Sequence, residues 1–232
     1  MPLFPLAPAG TLLALAAVLV LSMTPSQPRT GPKLLRLPPP DTIGRMPVER
    51  ALLLRRSVRA YSARPLALQA VSQLLWAAQG TTAPDGRRTA PSAGGLNPLE
   101  ILLVATRVEG LSQGLYRYSS STHSLDLSAA GRLAPLFAKA SLDQDFIAEA
   151  AAVVVFAAVE GRTARKYGSR SSRYVLFEAG AASENLALEA VALGLGAVVV
   201  GAFDDERVAK LARLRPGERP LFLMAVGEPA VE

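Results

Sequence analysis

The 232-residue chain has no cysteine, one tryptophan and a single histidine, His123. Without cysteine there are no disulfides, zinc thiolates, iron–sulfur clusters or thiol redox steps, and no metal site is expected. With one histidine, a Ser–His–Asp hydrolase would have to use His123, which lies in the turn Ser119–Ser124. A solvated turn residue is the expectation there. Aromatic residues are only 6%, so the core must close around Ala, Leu and Val. Acids are fewer than bases, 19 against 25, which leaves a net charge of +6. That balance suits nucleic acid or an anionic membrane. The arginines are scattered, however, except for Arg55, Arg56 and Arg59, and no aromatics interleave with them. No nucleic-acid partner is expected.

Charge is also missing from residues 1–28, where Thr11–Met23 is nearly all Leu, Ala and Val. Such a run is read as a signal h-region or a short membrane anchor. Pro2, Pro5, Pro8, Pro25 and Pro28 isolate it, which argues against a buried helix. No Lys or Arg precedes the run, and the first positive charges, Arg29, Lys33 and Arg36, follow it. The positive-inside rule then favours a retained anchor with the domain in the cytoplasm. Export and a misassigned start are the alternatives. Residues 29–47 are proline-rich and include Leu37-Pro38-Pro39-Pro40-Asp41; an extended linker is expected. Residues 48–232 form the globular domain.

Half the residues are hydrophobic and 19% are charged, enough for a substantial core. Helices are expected over Val48–Arg56, with Leu52 and Leu53 inward, and over Leu68–Gln79, where Val71, Leu74, Leu75 and Ala78 recur with helical period before Gly80. Residues 81–98 read as a long loop. Strands are expected at Glu100–Val108, Gly114–Tyr118, Leu125–Leu127, Ala151–Val159, Ala197–Val200 and Leu221–Val226. A short helix is expected near Leu133–Ala140 and a long one over Arg173–Leu193, with the small-residue centre Ala179–Ser183. Asp204 is placed as the cap of a helix reaching Leu211. The mixture is irregular, with a hairpin in its middle, so the fold class is α+β: one mixed sheet surrounded by helices. Gly194-Leu195-Gly196 ends a helix before a strand, the wrong order for a dinucleotide fingerprint.

Four stretches can carry chemistry. Arg55-Arg56-Ser57-Val58-Arg59 sets three guanidiniums and a hydroxyl within five residues; arginine forks match phosphate oxygens, although a solvated helix end would also favour them. Pro91-Ser92-Ala93-Gly94-Gly95-Leu96-Asn97-Pro98 would let backbone lie flat against a planar ligand, or it is an ordinary loop. Lys166-Tyr167, in the loop Lys166–Arg170 before the long helix, offers an acid and a base, or a basic surface loop. Val200-Gly201-Ala202-Phe203-Asp204-Asp205 leads a strand into a helix start whose amides could meet a ligand edge, or it is a plain turn.

Taken in order, these stretches resemble the FMN-dependent nitroreductase superfamily from about residue 37 to the end. The resemblance is closest to the thiazoline/oxazoline (azoline) dehydrogenase branch. It is carried further by Ser72-Gln73-Leu74-Leu75-Trp76-Ala77-Ala78-Gln79-Gly80, Arg88-Thr89-Ala90-Pro91-Ser92-Ala93-Gly94 and Gly114-Leu115-Tyr116-Arg117-Tyr118. The resemblance implies a nitroreductase-like fold with FMN at a homodimer interface. Arg55, Arg56, Ser57 and Arg59 would hold the phosphate and ribityl chain. Ser92, Ala93 and Gly94 would reach the flavin from the partner subunit, and the backbone at Val200 and Gly201 would face flavin N5. Lys166 and Tyr167 stand where the branch has its catalytic pair. The implied activity is that of an FMN oxidoreductase, a dehydrogenase of a small molecule or peptide. Alternatives are an NAD(P)H-dependent nitro- or quinone-reductase and an inactive scaffold of the same fold. The chain departs from the branch at Ala181, Asn97 and Glu228. Where the branch reads Val-Gly-Arg-Pro, this chain reads Val226-Gly227-Glu228-Pro229, and a glutamate beside a phosphate would repel it.

Overall fold

The computed structural model describes residues 34–230, together with Met1 and Leu3. The hydrophobic run of the leader lies outside the described residues. Among the described residues no helix is long and apolar enough to cross a membrane.

The molecule is organised around the strand Ala152–Ala158, β5, in which all seven residues are buried. The elements before it are β1 (Leu34–Arg36), α1 (Val48–Leu54), α2 (Leu68–Gln79), β2 (Leu99–Ala105), β3 (Gly114–Ser119), β4 (Ser124–Ala130), α3 (Ala134–Ala140) and α4 (Phe146–Glu149). After it come α5 (Glu160–Tyr167), α6 (Ser171–Ala192), β6 (Gly196–Val200), α7 (Asp205–Leu211) and β7 (Arg219–Gly227). The sheet runs β1-β4-β3-β2-β5-β7-β6. Every pairing between these strands is antiparallel. The expected mixed sheet is therefore corrected: among the described residues, parallel contact is confined to the isolated bridges Ser57↔Ala197 and Leu66↔Val108.

Successive side chains of a strand point to opposite faces, and both faces here are covered. Ile101, Leu103, Val154 and Phe156 join Val71, Leu74 and Leu75 of α2 and Val175, Ala179, Ala182 and Leu186 of α6 in one cluster. Leu102, Val104, Val153 and Val155 join Phe137 of α3, Ile147 of α4 and Val208 of α7 in the other. A strand buried on both sides has no polar positions, which explains the unbroken apolar run of β5.

Several expectations change. The proline-rich segment packs on the domain from Leu34 onward: Leu34–Arg36 pair with Asp126–Ser124 of β4, Leu37 is buried, and Asp41 N donates to Gln73 Oε1 at 2.8 Å. In α1 the inward residue is Ala51, whereas Leu52 and Leu53 are 55% and 60% exposed. The residues Lys166 and Tyr167 are the last turn of α5, and only Gly168–Arg170 continue as a 3-10 turn. This helix is polar apart from Ala164 and its one buried residue is Thr163, so apolar periodicity gives no sign of it. Asp204 caps α7 as expected, accepting from Arg207 N at 3.0 Å.

Candidate functional site

The first cluster forms where α1 stops. After Arg55 N closes on Ala51 O, the chain runs beside the outer edge of β6, with Ser57 bridging Ala197 and Val58 N donating to Ala197 O at 3.1 Å. Gly196 permits this approach, because a Cβ there would lie 2.6 Å from Val58 side-chain atoms. Tyr61 anchors the far end, its hydroxyl 2.7 Å from Val58 O and 3.0 Å from Ala225 O; burial pushes its pKa well up. The guanidiniums between these anchors are weakly compensated. Arg55 Nε is 3.6 Å from Glu184, and the Arg59 guanidinium lies 5.9 Å from the Phe146 ring centroid. Arg56 folds back onto Leu53 O and Arg55 O, the helix-end role the sequence also allowed. Val200 is buried at the end of the same strand, and Gly201 beyond it is exposed with nothing within 4 Å of a would-be Cβ. Arginines and open backbone thus share one strand edge.

The second cluster is the loop Ser92–Asn97. Gly94 and Gly95 have φ of 62° and 68°, and Asn97 has 47°. Ser92 Oγ accepts from Asn97 N at 2.8 Å, and Ala93 N donates to Glu178 Oε1 of α6 at 2.8 Å. The Arg162 guanidinium of α5 donates to Asn97 O and pairs with Glu100. Lys166 and Tyr167 belong to this cluster: a Cβ on Gly94 would sit 3.0 Å from Tyr167 Oη and 3.1 Å from Lys166 Nζ. Tyr167 stacks edge-on against Tyr174, with centroids 4.8 Å apart. The predicted loop residues and the predicted catalytic pair are therefore in one place.

Helix α6 carries a partner for each cluster and sets them apart. Glu178 faces the loop and Glu184 faces Arg55. Six residues separate them, about 9 Å along the axis and about 120° around it. Among the described residues no hydrogen bond or ion pair joins Arg55–Arg59 or Val200–Gly201 to the loop cluster.

Sequence reasoning missed Glu178. Its signal was a lone carboxylate on the buried stripe Val175, Ala179, Ala182 and Leu186. Burial pushes its pKa up, while Ala93 N, the Ser92 hydroxyl and the Arg88 charge hold it down. Geometry bears on two other readings. Glu228 pairs with the exposed Arg64 at 3.0 Å and lies 3.4 Å from Ser62 Oγ, so its charge is partly offset. His123 is half-buried, not a solvated turn residue. Its Nε2 is 2.7 Å from Ser72 Oγ and 3.0 Å from Pro38 O, and its Nδ1 is 2.9 Å from Tyr118 Oη. Ser72 Oγ donates to Pro38 O at 2.6 Å, so its proton is not offered to the imidazole. Together with the complete burial of Ser72, this removes a hydrolytic dyad.

The profile of the Nitroreductase family matches residues 52–228. A candidate nitroreductase of Methanocaldococcus jannaschii is 42% identical over 188 residues, covering 81% of this chain and 93% of its own. The crystal structure of a candidate nitroreductase from Ralstonia eutropha superposes with a TM-score of 0.76 at 33% identity, covering 88% of this chain and 92% of its own. An NADPH:FMN oxidoreductase of Vibrio harveyi, solved with NAD+, shares the fold with a TM-score of 0.60 at 19% identity, covering 79% of this chain and 69% of its own.

Proposed function

The chain belongs to the nitroreductase family, and from that premise we propose that it is an FMN-dependent oxidoreductase whose flavin site is shared between two copies of the chain. One observation carries the reading: the arginine strip and the Ser92–Gly94 loop are both formed, yet they lie on different sides of α6. A second copy would bring them together. The surface for it is present, because α1 packs on α6 while Leu52, Leu53, Leu176 and Phe177 are all more than half exposed. Apolar exposure on this scale suits an interface.

The residues present fit FMN. Arg59 supplies positive charge without an ion-pair partner among the described residues, and Arg55 has only the half-exposed Glu184 at 3.6 Å, which leaves both able to meet a phosphate. Arg56 and Ser57 would flank the ribityl chain. Val200 and Gly201 offer backbone with open space before it, and Gly94 offers an edge without a side chain. The flavin, when bound, supplies two-electron redox chemistry. The protein positions the substrate, excludes water and handles its proton. Removal of a hydride from a carbon beside a heteroatom leaves a proton there, and a base must stand within hydrogen-bond reach of it. Lys166 and Tyr167 are the residues of the loop cluster able to do this, which favours a dehydrogenase of the azoline type. The pairing of Glu228 with Arg64 lessens its repulsion of a phosphate.

The test is an absorbance spectrum of the purified chain. Oxidised-flavin bands released as FMN on denaturation support the reading; a colourless protein that takes up no FMN overturns it. NADPH oxidation with a nitroaromatic or quinone as sole acceptor would assign the reductase alternative instead of the dehydrogenase. We also propose that residues 1–28 direct the chain to a membrane, on the strength of their uncharged apolar run. Full-length protein found wholly in the soluble fraction with its N-terminus intact would reject this.

A further inference from the structure

A carboxylate on the inner face of α6 calls for a reason. Glu178 is only 4% exposed and sits among alanine and valine, where alanine would pack. Burying a charge costs stability unless hydrogen bonds compensate it. Among the described residues its side chain is hydrogen-bonded to the loop: Oε1 receives Ala93 N at 2.8 Å, with the Ser92 hydroxyl alongside. The charged group acting on it is Arg88, from the segment leading into the loop. Arg88 is itself held by Gln79 at 2.7 Å.

We infer that Glu178 is a positioning residue for the cofactor, holding the Ser92–Gly94 backbone in the one conformation that meets the flavin and the Lys166–Tyr167 pair. The inference rests on the flavin reading above. The loop has little else to fix it at this point. Gly94 and Gly95 are in the left-handed region, where glycine has wide freedom, and Pro91 and Gly95 are exposed. Ser92 Oγ accepts from Asn97 N within the same loop, and its other polar partner is Glu178 itself. Glu178 is the link that fastens the front of the loop to the longest helix of the domain, as Arg162 fastens its back at Asn97 O. Because Gly94 packs directly on Lys166 Nζ and Tyr167 Oη, a shift of the loop would also move it against that pair.

Reach and charge can be separated by two substitutions of similar size. Glu178→Gln keeps the reach and an oxygen acceptor for Ala93 N but removes the charge. Glu178→Asp keeps the charge but is one methylene too short. FMN affinity of the apoprotein is measured by quenching of flavin fluorescence, with thermal unfolding of each apoprotein in parallel. Glu178→Gln is expected to bind within about threefold of the wild type. Glu178→Asp is expected to bind about tenfold more weakly, the loss of one hydrogen bond that the shorter side chain cannot reach, with an unfolding temperature close to that of Glu178→Gln. Equal FMN affinity for Glu178→Asp and wild type overturns the inference, as does Glu178→Gln binding no better than Glu178→Asp. A wild type that binds no FMN overturns the flavin reading itself, so the two failures are distinct.

Discussion

The arginine strip and the Ser92–Asn97 loop differ in how completely the chain satisfies them. The loop is tied inside its own subunit: Glu178 holds Ala93, Ser92 holds Asn97, Arg162 holds Asn97 O, and Lys166 and Tyr167 pack on Gly94. In the strip, the backbone is fixed against β6 while Arg55 and Arg59 lack any carboxylate closer than 3.6 Å. A preorganised loop costs nothing further to order when ligand arrives. Two guanidiniums with one weak ion pair between them leave room for an anion. One region is prepared to shape a site, and the other is prepared to receive charge.

The sharpest way to break this contrast is through the catalytic pair. Lys166→Ala and Tyr167→Phe should lower turnover roughly 10²- to 10⁴-fold, the range for a lost general acid or base, while the flavin spectrum is kept. Steady-state rates beside the visible spectrum check this, and full activity in both variants would remove the pair from the mechanism. Next in size is the strip. Arg59→Ala should weaken FMN binding by roughly 10- to 100-fold, the equivalent of about 1.5–3 kcal/mol for a charge-assisted contact. An unchanged flavin titration would show that the strip does not hold the phosphate.

The smallest expected effect sharpens the contrast from outside both regions. His123 pins Pro38 to α2 and to β3, and burial lowers its pKa below the ordinary 6.5. A histidine with a depressed folded pKa binds fewer protons folded than unfolded, so its contribution is complete above the ordinary value and is lost as pH falls below it. Unfolding temperature should therefore drop between pH 7.5 and pH 5 more in the wild type than in His123→Gln. Identical pH profiles would show that the imidazole is not buried neutral.

How much of this was legible in the sequence follows from the kind of signal each part leaves. Helix α2 was read to its exact ends, because Val71, Leu74, Leu75 and Ala78 repeat with helical period and Gly80 stops it. The double burial of β5 showed directly as an apolar run. Helix α1 was read with the wrong face inward, since an exposed leucine looks the same in sequence as one facing a core. Helix α5 left no apolar period to read. Strand β1 was hidden in a proline-rich stretch that reads as linker, and its pairing with β4 is a long-range fact. The candidate site residues were chosen by motif, and their division between two subunits was expected from the family resemblance. How α6 sets the two clusters apart was not legible, because it depends on where Glu178 and Glu184 fall around a helix whose packing sequence alone does not supply.

That division can be measured directly. Arg59→Ala and Lys166→Ala homodimers, each poorly active, are mixed under conditions that exchange subunits, and activity is followed with FMN present. If the strip of one subunit works with the loop and Lys166 of its partner, a mixed dimer has one site with neither substitution and one with both. Activity should then rise towards half that of wild-type sites in the mixed dimers. If both regions serve a site within one chain, every site keeps one defect; activity that stays at the level of the separate variants, despite demonstrated subunit exchange, would contradict the shared site.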